Sequence, residues 1–181
     1  MRFAVVALAL AAAACGQNES VLAQIERTEA EQARVAETNL AAAQQFMAEQ
    51  RARPGVQAFP SGLLIERQQE SSNQSLPRAT RDGQVLVHYQ GSLANGEVFD
   101  SSIQRGEPAE FPVDGLIPGF TEALLQMRPG DAITAYIPPE IGYGVQGSPP
   151  GIPPNAALTF RIQLLAVATA GGQIHRAPQA R

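Results

Sequence analysis

Lysine and tryptophan are absent from this chain, cysteine occurs once and histidine twice. The single cysteine, Cys15, excludes an intrachain disulfide and any Cys-x-x-Cys pair. His88 falls in an alternating apolar segment and His175 near the chain end, so neither supplies a metal pair or a triad base. There is no P-loop and no Gly-x-Ser-x-Gly elbow. Gly142, Gly144 and Gly147 do not open a helical pattern and so make no dinucleotide fingerprint. All 13 cations are Arg, dispersed among 17 acidic residues for a net charge of −4, and no basic cluster marks a nucleic-acid partner. No metal and no cofactor is expected. Apolar runs of membrane-spanning length are missing as well: the longest, residues 3–14, is too short for a transmembrane helix.

That run fits a secretory leader. Met1-Arg2 gives a positive start, Phe3 to Ala14 is apolar and small, and Cys15 follows Ala12-Ala13-Ala14. Small residues ending at a cysteine resemble a bacterial lipoprotein cleavage box, in which the cysteine becomes the lipidated first residue; Ala12 stands where Leu is usual. The alternative is an ordinary leader with an incidental Cys15. Lipidation would hold the protein at a membrane, since each buried acyl CH₂ contributes about 0.8 kcal/mol. Gly16 and Gln17 carry no inner-membrane retention aspartate, so the expected address is the outer membrane, facing the periplasm. Residues 1–14 are read as signal peptide and 15–19 as lipidated anchor.

A chain of 181 residues with 44% hydrophobic content suits one domain with appendages, and 16 Gly with 14 Pro point to loops. Residues 20–53 read as a helical spacer: Ser20 can cap, Ala, Glu and Gln dominate, and Pro54-Gly55 ends the pattern. Its apolar stripe (Val21, Leu22, Ile25, Val35, Leu40, Phe46, Met47) keeps no continuous heptad, so at most a weak dimer is expected through it. The globular domain is read as 57–168, with Leu63-Leu64-Ile65 as its first strand and Gln68 to Thr80 as a crossing loop. Val85, Val87 and Tyr89 alternate with Leu86 and His88, and Asn95-Gly96 signals a hairpin to Val98-Phe99. Ser101 to Pro112 reads as irregular. Phe120, Ala123, Leu124 and Met127 make one face of a short helix ended by Pro129-Gly130. Ile133, Ala135 and Ile137 alternate again, as do Leu158, Phe160, Ile162 and Leu164. The expectation is an α+β domain, a twisted antiparallel β-sheet wrapped around one short α-helix and preceded by an N-terminal helix. Residues 169–181 read as a flexible tail.

The most informative stretch is residues 141–160. Glycine at 142, 144, 147 and 151 admits close backbone approach, and proline at 149, 150, 153 and 154 removes four N–H donors and stiffens the loop. Tyr143 sits between two glycines with little to shield its hydroxyl. A stiff loop feeding a one-sided strand is a plausible wall for a binding cleft, and a plain surface loop is the alternative. Gly-Tyr-Gly followed by Pro-Gly-Ile-Pro-Pro-Asn and a Leu-x-Phe strand resembles the FKBP-type peptidyl-prolyl cis–trans isomerases. Val85-Leu-Val-His-Tyr-Gln-Gly91 with Val98-Phe-Asp-Ser-Ser102, and Leu116-Ile-Pro-Gly-Phe-Thr-Glu-Ala-Leu124, continue the resemblance in the family's order. The leader and helix are similar to the family's bacterial lipoprotein or periplasmic branch, which is macrophage-infectivity-potentiator-like.

The resemblance implies a prolyl isomerase aiding the folding of envelope proteins, with proline-containing polypeptides as substrates and tacrolimus and rapamycin as inhibitors. It implies a cradle of Tyr89, Phe99, Leu116, Ile117, Phe120, Ile152 and Phe160. In it the Tyr143 hydroxyl and the Ile152 N–H would bond substrate carbonyls. Asp100 would form an orienting network with Tyr89 and Arg105, the plain alternative being an exposed Asp in a Ser-rich turn. Phe111 is either cradle or plain core, while Ser148, Gly151 and Ala109 would shape the rim. Phe120 stands where the family usually has Trp. The alternative function is a non-catalytic chaperone or peptide-binding module using the same cleft.

Overall fold

Helix α1 (Val21–Arg51) follows from 31 residues with neither glycine nor proline, and it stops ahead of Pro54 and Gly55. The computed structural model describes residues 21–178. The expected leader, the Cys15 anchor, the Ser20 cap and the last three residues of the expected tail lie outside the described residues. Val21, Leu22, Ile25 and Val35 are exposed on α1, whereas Ala43 and Met47 are buried. Ala36, Asn39, Ala43, Met47 and Gln50 share one helix face, set by three- and four-residue spacing. The expected spacer is therefore docked over its second half. Ala43 and Met47 find Leu64, Tyr136 and Ala157 there, partners too distant in sequence to be read from the helix.

One antiparallel sheet forms the body of the domain. Its strands are β1 (Val56–Ala58), β2 (Leu64–Gln69), β3 (Gln84–Leu93), β4 (Val98–Ser101), β5 (Ala109–Pro112), β6 (Ala132–Ile137), β7 (Leu158–Ala168) and β8 (Ile174–Arg176). Their order is β1-β2-β6-β7-β3-β4, with β5 added to β3 and β8 to β7. Alternation sends Val85, Val87, Tyr89, Phe160, Ile162 and Leu164 to one face. A short helix (Pro118–Leu125), α3 in chain order, fills that face with Phe120, Ala123 and Leu124, joined by Met127. Phe120, Leu124 and Met127 each contribute about 1.5–3 kcal/mol on full burial. The expected α+β fold, an antiparallel sheet wrapped around a short helix, is what forms.

Four short elements depart from the expectation. The first strand is β1 and not Leu63–Ile65, the segment expected to be irregular holds helix α2 (Ser102–Arg105) and β5, and β8 pairs with β7 inside the expected tail. Runs of three or four residues carry too little period to be legible; pairing at an edge of the sheet makes them strands. The β3–β4 hairpin sets the position of α2. Asn95 accepts from the Glu97 N–H (3.0 Å), Gly96 N–H donates to Leu93 O (2.9 Å), and Ser101 caps α2 by accepting from the Gln104 N–H (3.2 Å). The capped turn of α2 brings Arg105 back toward β3 and β4.

Candidate active site

A cavity of about 300 Å³ opens between α3, β3, β4, β5 and β7. Tyr89, Phe99, Asp100, Phe111, Gly115, Leu116, Ile117, Phe120, Tyr143 and Phe160 line it. A larger groove of about 720 Å³ lies on the outer face of the sheet, with walls that mix Gln, Thr, Arg and Glu side chains with apolar ones such as Phe46, Leu93 and Ile103. Size does not select between them. An apolar hollow with a few aimed polar groups is the form that takes an apolar ligand, and the smaller cavity has it.

Five rings run in a continuous arc around the hollow. Phe111 meets Tyr89 at 5.6 Å, Tyr89 meets Phe120 at 6.2 Å, Phe120 meets Phe160 at 4.9 Å and Phe160 meets Phe99 at 5.7 Å, every pair edge to face. Such pairs add about 0.5–1.5 kcal/mol each beyond area burial, so the wall is rigid before any ligand arrives. Gly91 makes the closure feasible. It pairs with Asp100 on one side and Phe160 on the other, and a Cβ there would stand 2.6 Å from Phe99 and 2.7 Å from Phe160. Sequence reasoning does not single out Gly91; a glycine inside a strand, where it costs order, is the available signal.

The polar edge is a knot of three residues. The Tyr89 hydroxyl donates to one Asp100 oxygen, Arg105 Nη1 donates to the other, and Arg105 Nη2 donates to the Tyr89 hydroxyl (3.1 Å). Burial alone would push the Asp100 carboxyl up, but the hydrogen bonds from Tyr89 and then Arg105 outweigh it and hold it below the usual carboxylate range. Burial, followed by the bond to Asp100, pushes the Tyr89 phenol up. The guanidinium of Arg105 is raised first by its bond to Tyr89 and then by Asp100. At neutral pH the knot is a carboxylate held by two donors, which orients Tyr89 and leaves no proton to relay.

Tyr143 hangs over this edge, 37% exposed. Burial first, and the Asp100 charge second, raise its phenol. It is therefore protonated at neutral pH, and among the described residues its hydroxyl has no hydrogen-bond partner. Ile152 is different from what the resemblance implies. Its N–H donates to Ser148 O (3.0 Å) while the Ser148 N–H returns a bond to Ile152 O (2.8 Å), and its side chain is buried in the core behind the cavity. An amide already paired inside its own loop is not an open donor. The Ile117 N–H, in the cavity wall just before α3, donates to no acceptor among the described residues and is an open backbone donor. Which amide is left over depends on how the loop closes, so spacing cannot reveal it.

The remaining expected residues sit around this centre. Phe111 is both cradle and core. Ala109 is half-buried on β5 outside the lining, and Ser148 and Gly151 belong to the loop, with Gly151 exposed beside Phe99. Pro149-Pro150, between them, is cis. No group of acidic, His or Cys side chains among the described residues could hold a metal ion.

Two family models match the chain: FKBP-type peptidyl-prolyl cis-trans isomerase over residues 77–165, and the domain amino terminal to FKBP-type peptidyl-prolyl isomerase over residues 8–66. The peptidyl-prolyl cis-trans isomerase Mip of Coxiella burnetii is 43% identical over 122 residues, which is 67% of this chain and 52% of that protein. The FKBP-type 22 kDa peptidyl-prolyl cis-trans isomerase of Escherichia coli is 43% identical over 122 residues, 67% of this chain and 58% of that protein. The chain thus spans little more than half the length of these curated relatives. The crystal structure of FkpA from Escherichia coli superposes with a TM-score of 0.74 at 32% identity, over 86% of this chain and 75% of that one. A peptidyl-prolyl cis-trans isomerase from Pseudomonas syringae superposes with a TM-score of 0.68 at 34% identity, over 74% and 96%. With both family models matched and the same fold at more than 30% identity, the chain belongs to the FKBP-type peptidyl-prolyl cis–trans isomerase family.

Proposed function

We propose that this protein is a peptidyl-prolyl cis–trans isomerase that speeds rotation about X-Pro bonds of folding polypeptides. One observation carries the reading: a 300 Å³ aromatic hollow edged by two unpartnered donors, the Tyr143 hydroxyl and the Ile117 N–H. The rotation barrier of about 18–20 kcal/mol comes from the double-bond character of the C–N bond. Uncatalysed X-Pro exchange takes on the order of tens to hundreds of seconds. No bond to carbon breaks, so no nucleophile is needed. The planar amide is more dipolar than the twisted one, and a dry cavity therefore favours the twist. Each tenfold in rate asks for about 1.4 kcal/mol of such preference.

In this reading the proline ring rests on Phe120 between Tyr89, Phe99 and Phe160. Tyr143 and Ile117 bond the flanking carbonyls, while Asp100 and Arg105 hold Tyr89 in place. Ser148, Gly151 and Ala109 shape what is accepted at the rim. A proline-limited refolding assay tests it. Acceleration that tacrolimus or rapamycin abolishes is expected, and refolding at the uncatalysed rate rejects the proposal. Phe120, where the family usually has Trp, favours a second reading, a module that holds proline-containing segments without turnover. That reading gains if Phe120→Trp raises turnover while the wild-type chain suppresses aggregation equally well.

We also infer that residues 1–14 are a signal peptide and that Cys15 is lipidated, placing the protein on the periplasmic side of the outer membrane. The apolar run ending at Cys15 supports this. Cys15→Ala is expected to move the protein from the membrane to the soluble envelope fraction. Among the described residues no helix is long and apolar enough to cross a membrane. The exposed Val21, Leu22, Ile25 and Val35 support at most a weak dimer through α1, to be read by sedimentation.

A further inference from the structure

The prolines at 149, 150, 153 and 154 lack N–H groups, so the loop that carries Tyr143 cannot ladder itself onto a neighbouring strand. It closes on itself instead. Ser148 and Ile152 exchange bonds, the Gly147 N–H donates to Tyr143 O (3.1 Å), and the Asn155 N–H donates to Gly144 O (2.9 Å). Gly147, at φ +65°, permits the closure, because a Cβ there would lie 2.4 Å from Ile152 O. The buried Ile152 side chain and the Gly144 N–H, which donates to Pro139 O (2.9 Å), hold its inner side, and its outer side is left for other elements to hold.

Two side-chain amides do so, in opposite directions. Asn39 Nδ2, on α1, donates to Pro154 O (2.9 Å), and Asn155 Nδ2, on the loop, donates to Ala36 O of α1 (2.9 Å). Asn155 is 8% exposed and at φ +54° it is the one non-glycine residue with positive φ among the described residues. It spends its backbone N–H on the near end of the loop and its side chain on the helix. Two residues on, Ala157 packs with Ala43 and Met47, so the helix covers the loop's root for more than a turn. Nothing in the cavity itself needs α1; the loop does.

We propose that Asn39 and Asn155 are positioning residues for Tyr143. Through this crossed pair of amides α1 fixes the loop over the cavity, so the hydroxyl stands where a substrate carbonyl arrives. The proposal rests on the isomerase reading of the site. It makes the N-terminal helix part of the site, although no residue of α1 lines the cavity.

The test uses the full chain with Asn39→Ala, which removes one donor from a half-buried helix position and keeps a good helix former. Asn39→Asp serves as the second variant, keeping the shape but turning the donor into an acceptor facing Pro154 O. Amide hydrogen exchange is expected to quicken about tenfold or more at Gly147, Ser148, Ile152 and Asn155 in both variants, with the Ile133 and Ile162 amides unchanged. On a proline peptide, kcat/KM is expected to fall about fivefold, well inside the hundredfold that a 1 Å misplacement can cost. In a Tyr143→Phe background the same substitutions should cost nothing further, since they act through that hydroxyl. Unchanged loop exchange overturns the proposal, as does a loss of activity that adds in full to that of Tyr143→Phe. A wild-type chain without isomerase activity would overturn the reading of the site, and the exchange measurement would then decide by itself whether α1 holds the loop.

Discussion

Tyr89 and Tyr136 are held in the same way on opposite faces of one sheet. Tyr89 donates to Asp100 and accepts from Arg105, whose Cζ lies 5.7 Å from the ring centroid. Tyr136 donates to Glu66 (3.0 Å) and accepts from Arg53, whose Cζ lies 5.8 Å from the ring centroid. Each tyrosine has a phenylalanine edge against it, Phe111 and Phe120 in one case and Phe46 in the other. Both phenols are raised, by burial first and by the hydrogen-bonded carboxylate next. What differs is the space beyond. Tyr89 looks into an aromatic hollow with two spare donors at its edge, whereas Tyr136 looks into a wide groove of mixed polar and apolar lining and ties Arg53, just past α1, to β2 and β6. The same trio of residues orients a cavity wall in one place and fastens a helix in the other. A site is therefore defined by what the trio surrounds.

Substitution of the phenylalanines separates the two faces most sharply. Phe120→Ala removes the ring that joins Tyr89 to Phe160 and is expected to cost about 3–5 kcal/mol in urea unfolding and to abolish isomerisation. Phe46→Ala, half-buried beside Tyr136, should cost about 1 kcal/mol and leave kcat/KM intact. If Phe46→Ala proved as damaging to turnover, the two faces would not be separate in function. Hydroxyl deletions come next. Tyr143→Phe should lower kcat/KM about tenfold, the worth of one hydrogen bond in a dry site, at unchanged stability. Tyr136→Phe should do the reverse, costing about 1 kcal/mol of stability with normal turnover.

The pH dependence is the smallest effect. Asp100 titrates below its ordinary 3.8 in the folded chain, so the unfolded chain takes up its proton first as the pH falls. Its contribution is present above 3.8 and fades as the pH drops through the folded value, and Asp100→Asn should flatten that acid limb of a stability profile. The phenols of Tyr89, Tyr136 and Tyr143 are raised from 10.0, so their contribution is whole below that pH and fades as the pH rises through the folded values. Tyr89→Phe and Tyr136→Phe should each make the alkaline loss shallower, since the trios match in this respect.

Much of the fold is legible in the sequence because its signals are local. Asn95-Gly96 announces the β3–β4 hairpin, the spacing of Phe120, Ala123, Leu124 and Met127 announces α3, and alternation announces β3, β6 and β7. Motif order points to the cradle residues, and the fold brings Tyr89, Phe99, Asp100, Leu116, Ile117, Phe120, Tyr143 and Phe160 around one hollow. Ile152 is not legible as a spent donor, because its partner, Ser148 O, becomes available only when the loop folds back. The helix–loop bracket is invisible for a different reason. Asn39 and Pro154 are 115 positions apart, and Asn155 and Ala36 are 119, so almost the whole globular domain intervenes between each donor and its acceptor.

By itself the sequence determined which of the longer segments are helix and strand, which faces are apolar, and where rings and donors are stored along the chain. Those properties depend on neighbours within a turn or a pleat. Tertiary structure alone decided which donors remain free at the cavity, which of two equivalent tyrosine trios faces a hollow, and that α1 lies on the loop of Tyr143. Each of these is a matter of hydrogen bonds and packing between residues on opposite sides of the domain, and no local pattern encodes whether a donor will already have been taken.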